Sequence, residues 1–149
     1  MKGFHVSLAF VCALSALYLL FTPILVAQQS TVFTEQVYLR ISSTYGSDAS
    51  ENVAKWRQLV AELQSEDLDE KLYQINRFFN RFDFVDDLVH WQQKDYWATP
   101  IEFISTGAGD CEDYTIAKYF SLIELGVPEQ QLRLMYVTAL ELRQPHMVL

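Results

Sequence analysis

Cysteine is scarce in this sequence. The 149 residues hold two, and Cys12 lies in an apolar leader, so the remainder carries Cys111 alone. A single thiol excludes an intramolecular disulfide. Basic residues are also few, 11 against 19 acidic ones, for a net charge of −8. That balance argues against nucleic-acid or anionic-membrane binding through bulk charge. It fits a solvated acidic surface and leaves room for a cation site. There is no internal repeat and no low-complexity segment, so solenoid and linker readings fall away as well. The length suits one domain with a real core.

What is present begins with MKGFHVSLAFVCALSALYLLFTPILVAQQ. A short basic start, an apolar stretch from Val6 to Phe21 and Pro23 at its end describe a secretory signal peptide over residues 1–27, cut after Ala27. Leu25 sits where a small residue is usual. An uncleaved anchor helix over the same residues is the alternative. Either way the domain from Gln28 onward is expected to be exported, to the periplasm in the reading developed below. A lone thiol in an oxidising compartment is either buried and inert or kept for a purpose.

Residues 28–90 read as a helical N-terminal lobe and residues 91–149 as a second region built around Cys111. TVFTEQVYLRI fits a strand or a short helix, and the Ser-, Gly- and Asp-rich run from Ser42 to Ser50 reads as a loop. Ser47 or Asp48 then caps a helix whose apolar face is Val53, Trp56, Leu59, Val60 and Leu63. A second helix starts near Asp67 and places Leu68, Leu72, Ile75, Phe78 or Phe79, and Phe82 on its buried stripe. Phe84 to Trp97 has no clean period and is read as a connector with one short element. Tyr96 and Trp97 are assigned to core packing, with the groove before Cys111 as the alternative place for both. Thr99, Pro100 and Glu102 spell a capping box with proline in the first turn.

After Gly107 and Gly109 the pattern CEDYTIAKYFSLIELG is helical. Its predicted stripe is Tyr114, Ala117, Phe120 and Leu125, widened by Ile116, Tyr119 and Ile123. Gly126 ends it, and Pro128 blocks a restart. Leu132 to Leu142 alternates like a strand, Arg143-Gln144-Pro145 reads as a turn, and His146 to Leu149 opens another strand.

Asp110 is a good N-cap, which puts Cys111 in the first helical turn. Unpaired backbone N–H groups there favour a thiolate and could face a developing oxyanion. Three neighbouring carboxylates, Asp110, Glu112 and Asp113, oppose that and should raise the thiol pKa. An imidazolium partner or a hard cation would reverse the effect, and calcium is the natural choice in an exported protein. The plainer reading of the three acids is a favourable acidic first turn. Two histidines follow the leader. His90 reads as a partly buried surface residue. His146 opens a strand downstream of Cys111, as a general base does in many cysteine hydrolases, or else faces solvent beside a hairpin.

The run DYWATPIEFISTGAGDCEDYTIAKYFSLIELGVP, followed by LRLMYVTALELRQPHMVL, resembles the bacterial transglutaminase-like cysteine protease family of the periplasmic LapG type. The likeness is clear from Asn76 to Leu149 and looser upstream. It implies an α+β fold, a papain-like or transglutaminase-like core with a helical N-terminal lobe. Cys111 would be the nucleophile and His146 the base of a Cys–His–Asp triad. It implies dependence on calcium through the motif that contains Asp110, Glu112 and Asp113. It implies cleavage of a large cell-surface adhesin near its N-terminus, which releases biofilm, and sequestration by an inner-membrane receptor for cyclic di-GMP. No nucleic-acid partner is implied. Two positions depart from the pattern. Pro145 stands where a small non-proline residue is expected, and the triad Asp, which the family places on a strand beyond the His, is not present in this chain. The catalytic core over 91–149 is therefore expected to be incomplete, with its sheet truncated at the C-terminus. A catalytically impaired copy that acts only as a binding module, or does not fold, is the competing expectation. Acyl transfer of the transglutaminase type is a third.

Overall fold

The computed structural model describes residues 33–141 and 143–149. The leader assigned to residues 1–27 lies outside the described residues. Among these, no helix is long and apolar enough to cross a membrane.

Helix α1 spans Glu35–Tyr45, which settles the strand-or-helix choice for TVFTEQVYLRI. The expected loop from Ser42 to Ser50 is a correction. Only Gly46 interrupts the helices, at φ 98, and α2 runs from Ser47 to Glu62 with no side-chain cap bond from Ser47 or Asp48. Ser43 and Thr44 stay helical because their hydroxyls donate back to Arg40 O at 2.9 Å each, the local bond that this residue type makes inside helices. Helix α2 buries Val53, Trp56 and Val60, and its C-cap buries Leu63, as the periodicity predicts, whereas Leu59 is only half-buried.

Helix α3, Leu68–Phe79, opens at Asp67, whose side chain accepts from Glu70 N. Ile75, Phe78 and Phe79 enter the core, whereas Leu68 and Leu72 remain 42% and 39% exposed. Leu72 is exposed because it borders an open cleft. The short strand β1, Asp83–Phe84, and the four-residue helix α4, Asp87–His90, form the connector. Helix α5, Pro100–Thr106, has the predicted capping box between Thr99 and Glu102. Strand β2, Ala108–Gly109, pairs in parallel with β1, Asp83 opposite Ala108 and Phe84 opposite Gly109. This clasp joins the end of α3 to the residue before the Asp110 cap.

Helix α6, Cys111–Glu124, is the central element. It packs on α3, α5 and the last strand. Its buried set differs from the predicted stripe. Phe120 is 52% exposed, while Thr115 and Ser121 are buried. Each buried hydroxyl has found a partner: Thr115 donates to Met147 O at 3.2 Å, and Ser121 donates to Ala117 O at 2.7 Å while accepting from the Trp56 indole at 2.9 Å. A short polar side chain that is satisfied in this way can be buried. Beyond Gly126, Pro128 starts a 3-10 turn, Glu129–Gln131. Strand β3 covers Met135–Ala139 and β4 covers Gln144–Val148, antiparallel, with His146 opposite Val137. Gln144 and Pro145 are thus strand residues, not the turn that the sequence suggests.

The aromatic core sits where α3, α5 and α6 meet. Phe79 stacks on Phe103 at 5.9 Å, and Phe78 and Phe82 meet this pair edge-on. Helices from both sides of residue 90 share this core, since α2 packs against α5 and α3 against α6.

Candidate active site and cation cluster

Asp110 caps α6 and accepts from Glu112 N at 3.3 Å, and the Asp113 side chain accepts in turn from Asp110 N at 3.4 Å. This capping box fixes Cys111 as the first helical residue. Gly109 is required immediately upstream. A Cβ there would lie 2.8 Å from the Phe103 ring and within clashing distance of Asp113, so the backbone can approach the helix start only without a side chain.

The Cys111 thiol is half-buried and donates to Glu112 Oε2 at 2.7 Å. Its pKa is pushed up to about 12, first by burial, then by the hydrogen bond to Glu112, with the Met147 backbone N–H acting the other way. Burial and the neighbouring carboxylates thus favour the protonated thiol in this state. Glu112 is itself held below the usual range. Burial works to raise it, but hydrogen bonds from Cys111, from Tyr136 and with Asp110 outweigh burial. Tyr136 reaches from β3 and donates to Glu112 Oε1 at 2.6 Å. Asp110 is pushed up to about 7, by burial, by its hydrogen bond with Glu112 and by the charges of Glu112, Asp87 and Asp113.

Asp113 has no exposed surface. Its Oδ1 accepts from Ala98 N at 2.7 Å, and burial raises its pKa against the help of the Ala98 and Asp110 N–H groups. Asp87, from the start of α4, completes a second grouping. It is 6% exposed; its Oδ2 accepts from Tyr96 N, and its Oδ1 is buried with no partner. Asp87, Asp110 and Asp113 offer carboxylate oxygens within 4.8 Å of one another, and Asp110, Cys111 and Glu112 form a separate set on the same criterion. Of the three acids singled out in the sequence, Asp110 belongs to both sets, Asp113 to the first and Glu112 to the second. Three mutually repelling carboxylates, one with an orphaned buried oxygen, fit a hard cation with oxygen ligands.

His146 is half-buried on β4, next to α6. Cys111 and His146 line one cleft of about 1050 Å³, bordered by α3, α6 and the last strand. His90 is remote in role. Its ring meets Trp91 edge-on at 4.5 Å, and its Nε2 is buried without a partner. Trp97 is 52% exposed, with its indole donating to Asp95, which corrects the core assignment. Tyr96 is half-buried and donates to Glu102 at 2.9 Å. Sequence reasoning missed Asp87 and Tyr136. The acidic pair Asp86-Asp87 within an apolar stretch was the available signal for the first, and nothing local marked the second.

A thiol at a capped helix start and an imidazole on the adjoining strand, facing one cleft, form the arrangement of a papain-like cysteine hydrolase. Residues 38–149 match the family model described as bacterial transglutaminase-like cysteine proteinase, and the chain belongs to that family. Its α+β architecture is similar to that of LapG from Legionella pneumophila, at 36% identity with a TM-score of 0.65, over 77% of this chain and 64% of that one. The calcium-bound form of that protein gives the same values, and the EGTA-treated form differs only in coverage, at 62% of its length. The chain thus spans less than two thirds of these relatives. No curated protein matches it in sequence.

Proposed function

We propose that the protein is a calcium-dependent cysteine protease. The supporting observation is the placement of Cys111 and His146 on the walls of one cleft, at a helix start and on the strand beside it. In this reading His146 takes the thiol proton, and the Cys111 sulfur attacks a peptide carbonyl. The Cys111 backbone N–H would receive the oxyanion. His146 then returns the proton to the leaving amine, and water hydrolyses the acyl-enzyme. Asp87, Asp110 and Asp113 would hold the calcium, with Glu112 alongside. The ion supplies positive charge where carboxylates otherwise keep the thiol protonated.

The relatives' calcium-bound form supports the choice of metal. The substrate we propose is a large cell-surface adhesin, cut near its N-terminus to release biofilm. Export to the periplasm and capture by an inner-membrane cyclic di-GMP receptor complete the proposal, on the strength of the family and of the apolar leader. The test is cleavage of a purified adhesin N-terminal fragment, with calcium or with chelator. Cleavage should require calcium and should fall by at least about a thousandfold in Cys111→Ala, the scale on which catalytic nucleophiles act. Cleavage that survived the substitution would refute the reading.

A second reading is favoured by one observation. The Cys111 thiol donates to Glu112 Oε2 and not to His146, so the base is not engaged with the nucleophile in this state. On this reading the chain binds substrate or receptor without cutting. Turnover by the purified chain would exclude it, and product mass would separate hydrolysis from acyl transfer to an amine.

A further inference from the structure

Among the described residues, no acidic side chain lines the cleft that holds Cys111. Asn76, Asn80, Lys118, Arg133 and His146 line it among apolar side chains, and neither Asp nor Glu does, although the chain carries 19 of them. Helix α6 sorts the charges. Its first-turn acids, Glu112 and Asp113, are buried against Tyr136 and Ala98. Cys111, Thr115, Lys118 and Leu122 recur at helical spacing and line the cleft. The cleft beside the thiol thus carries basic side chains, Lys118 from the helix and Arg133 and His146 from beyond it.

Lys118 is the centre of that surface. It is half-buried, and its ammonium donates to Asn76 Oδ1 at 2.8 Å and Asn80 Oδ1 at 2.7 Å, over the Tyr114 ring at 5.6 Å. Both acceptors are neutral, and neither ion pair among the described residues includes it. Burial lowers its pKa, as expected for a desolvated cation without a counterion. An ammonium has three donors, so one remains after the two asparagines. The seven-residue step from Cys111 to Lys118 corresponds to about 10 Å of helix rise. Roughly three residues of extended polypeptide span the same distance.

We propose that Lys118 is a specificity-determining residue that selects an acidic side chain in the bound polypeptide, about three residues from the bond presented to Cys111. The proposal rests on the protease reading only for the cleft's being the substrate cleft, and its test does not depend on turnover. Cys111→Ala protein is titrated, by fluorescence anisotropy, into labelled short Gly/Ser peptides. These are identical except for Glu, Gln or Lys placed three residues before or after the centre. At one of the two placements the Glu peptide should bind about tenfold more tightly than its Gln counterpart, the discrimination of a charge-assisted hydrogen bond. Lys118→Gln should erase that preference, Lys118→Arg should retain it, and Lys118→Glu should shift it to the Lys peptide.

A Lys118 that only braces α3 against α6 would change melting temperature and leave peptide preference untouched. Equal binding of the Glu and Gln peptides, or no binding of either, overturns the proposal without reference to any variant. Loss of adhesin cleavage in Cys111→Ala is a separate measurement, so failure of the protease reading is recognised independently.

Discussion

The C-terminal half of α6 buries one polar side chain, Ser121, and satisfies it twice, from Trp56 and to Ala117. Lys71 also donates to Leu125 O at 3.1 Å, where the helix ends. The first turn of the same helix buries Glu112 and Asp113 beside Asp110 and Asp87, and leaves one Asp87 oxygen without a partner. One end follows the rule for stable interiors, in which every buried polar atom is paired. The other gathers like charges that repel, as functional sites do. Stability and chemistry are thus assigned to opposite ends of one fourteen-residue helix.

Four experiments press on this contrast. The largest effect is expected from Phe103→Ala, since Phe103 is fully buried and stacks on Phe79. Urea unfolding should show a loss of about 3–5 kcal/mol. Ser121→Ala should cost about 1–3 kcal/mol in the same assay, because it removes the buried hydroxyl that accepts from the Trp56 N–H. A loss as large from a first-turn substitution would remove the distinction between the two ends.

The next effect is in pH. Asp110 moves from its ordinary 3.8 to about 7 on folding. Between those values the unfolded chain has released the proton and the folded chain keeps it. Its contribution to stability is therefore fully present below about pH 4 and is lost as pH rises through about 7. In chelator, melting temperature should fall across that window, and millimolar calcium should flatten the decline. A melting temperature that rose from pH 4 to 7 in chelator would contradict the crowding at the helix start. The smallest effect belongs to Asp87→Asn. Without calcium it should raise stability slightly, by less than about 1 kcal/mol, since it removes one repelling charge. The stabilisation that calcium gives should shrink in the same variant, as read by differential scanning fluorimetry.

The sequence showed the satisfied end of the helix less well than the strained one. Asp110 as cap, Cys111 in the first turn and the Thr99 capping box follow from side chains within three residues of each other, and all are found in place. Phe120 was misplaced and Ser121 overlooked because burial there depends on Trp56, 65 positions earlier. Asp87 was missed for the same reason. Its carboxylate meets Asp110 and Asp113 only in three dimensions. The loop expected after Ser42 failed for a different cause, since Ser and Thr in a helix can bond to their own preceding turn. In each case the missing information was a partner, not a propensity.

The two-residue clasp of β1 and β2 also sets an order of events. Asp83 N bonds Gly107 O and Val85 N bonds Gly109 O, each at 3.0 Å. The stretch that presents Cys111 is therefore held by a segment more than twenty positions earlier. Closing that interval has an entropic cost that local helix formation does not. During refolding the helices can appear before the clasp closes, and a thiol whose helix start is not yet held should react as an exposed one. Pulsed alkylation of Cys111 would accordingly act as a clock. The moment at which labelling slows marks the closing of a ladder that contains no cysteine.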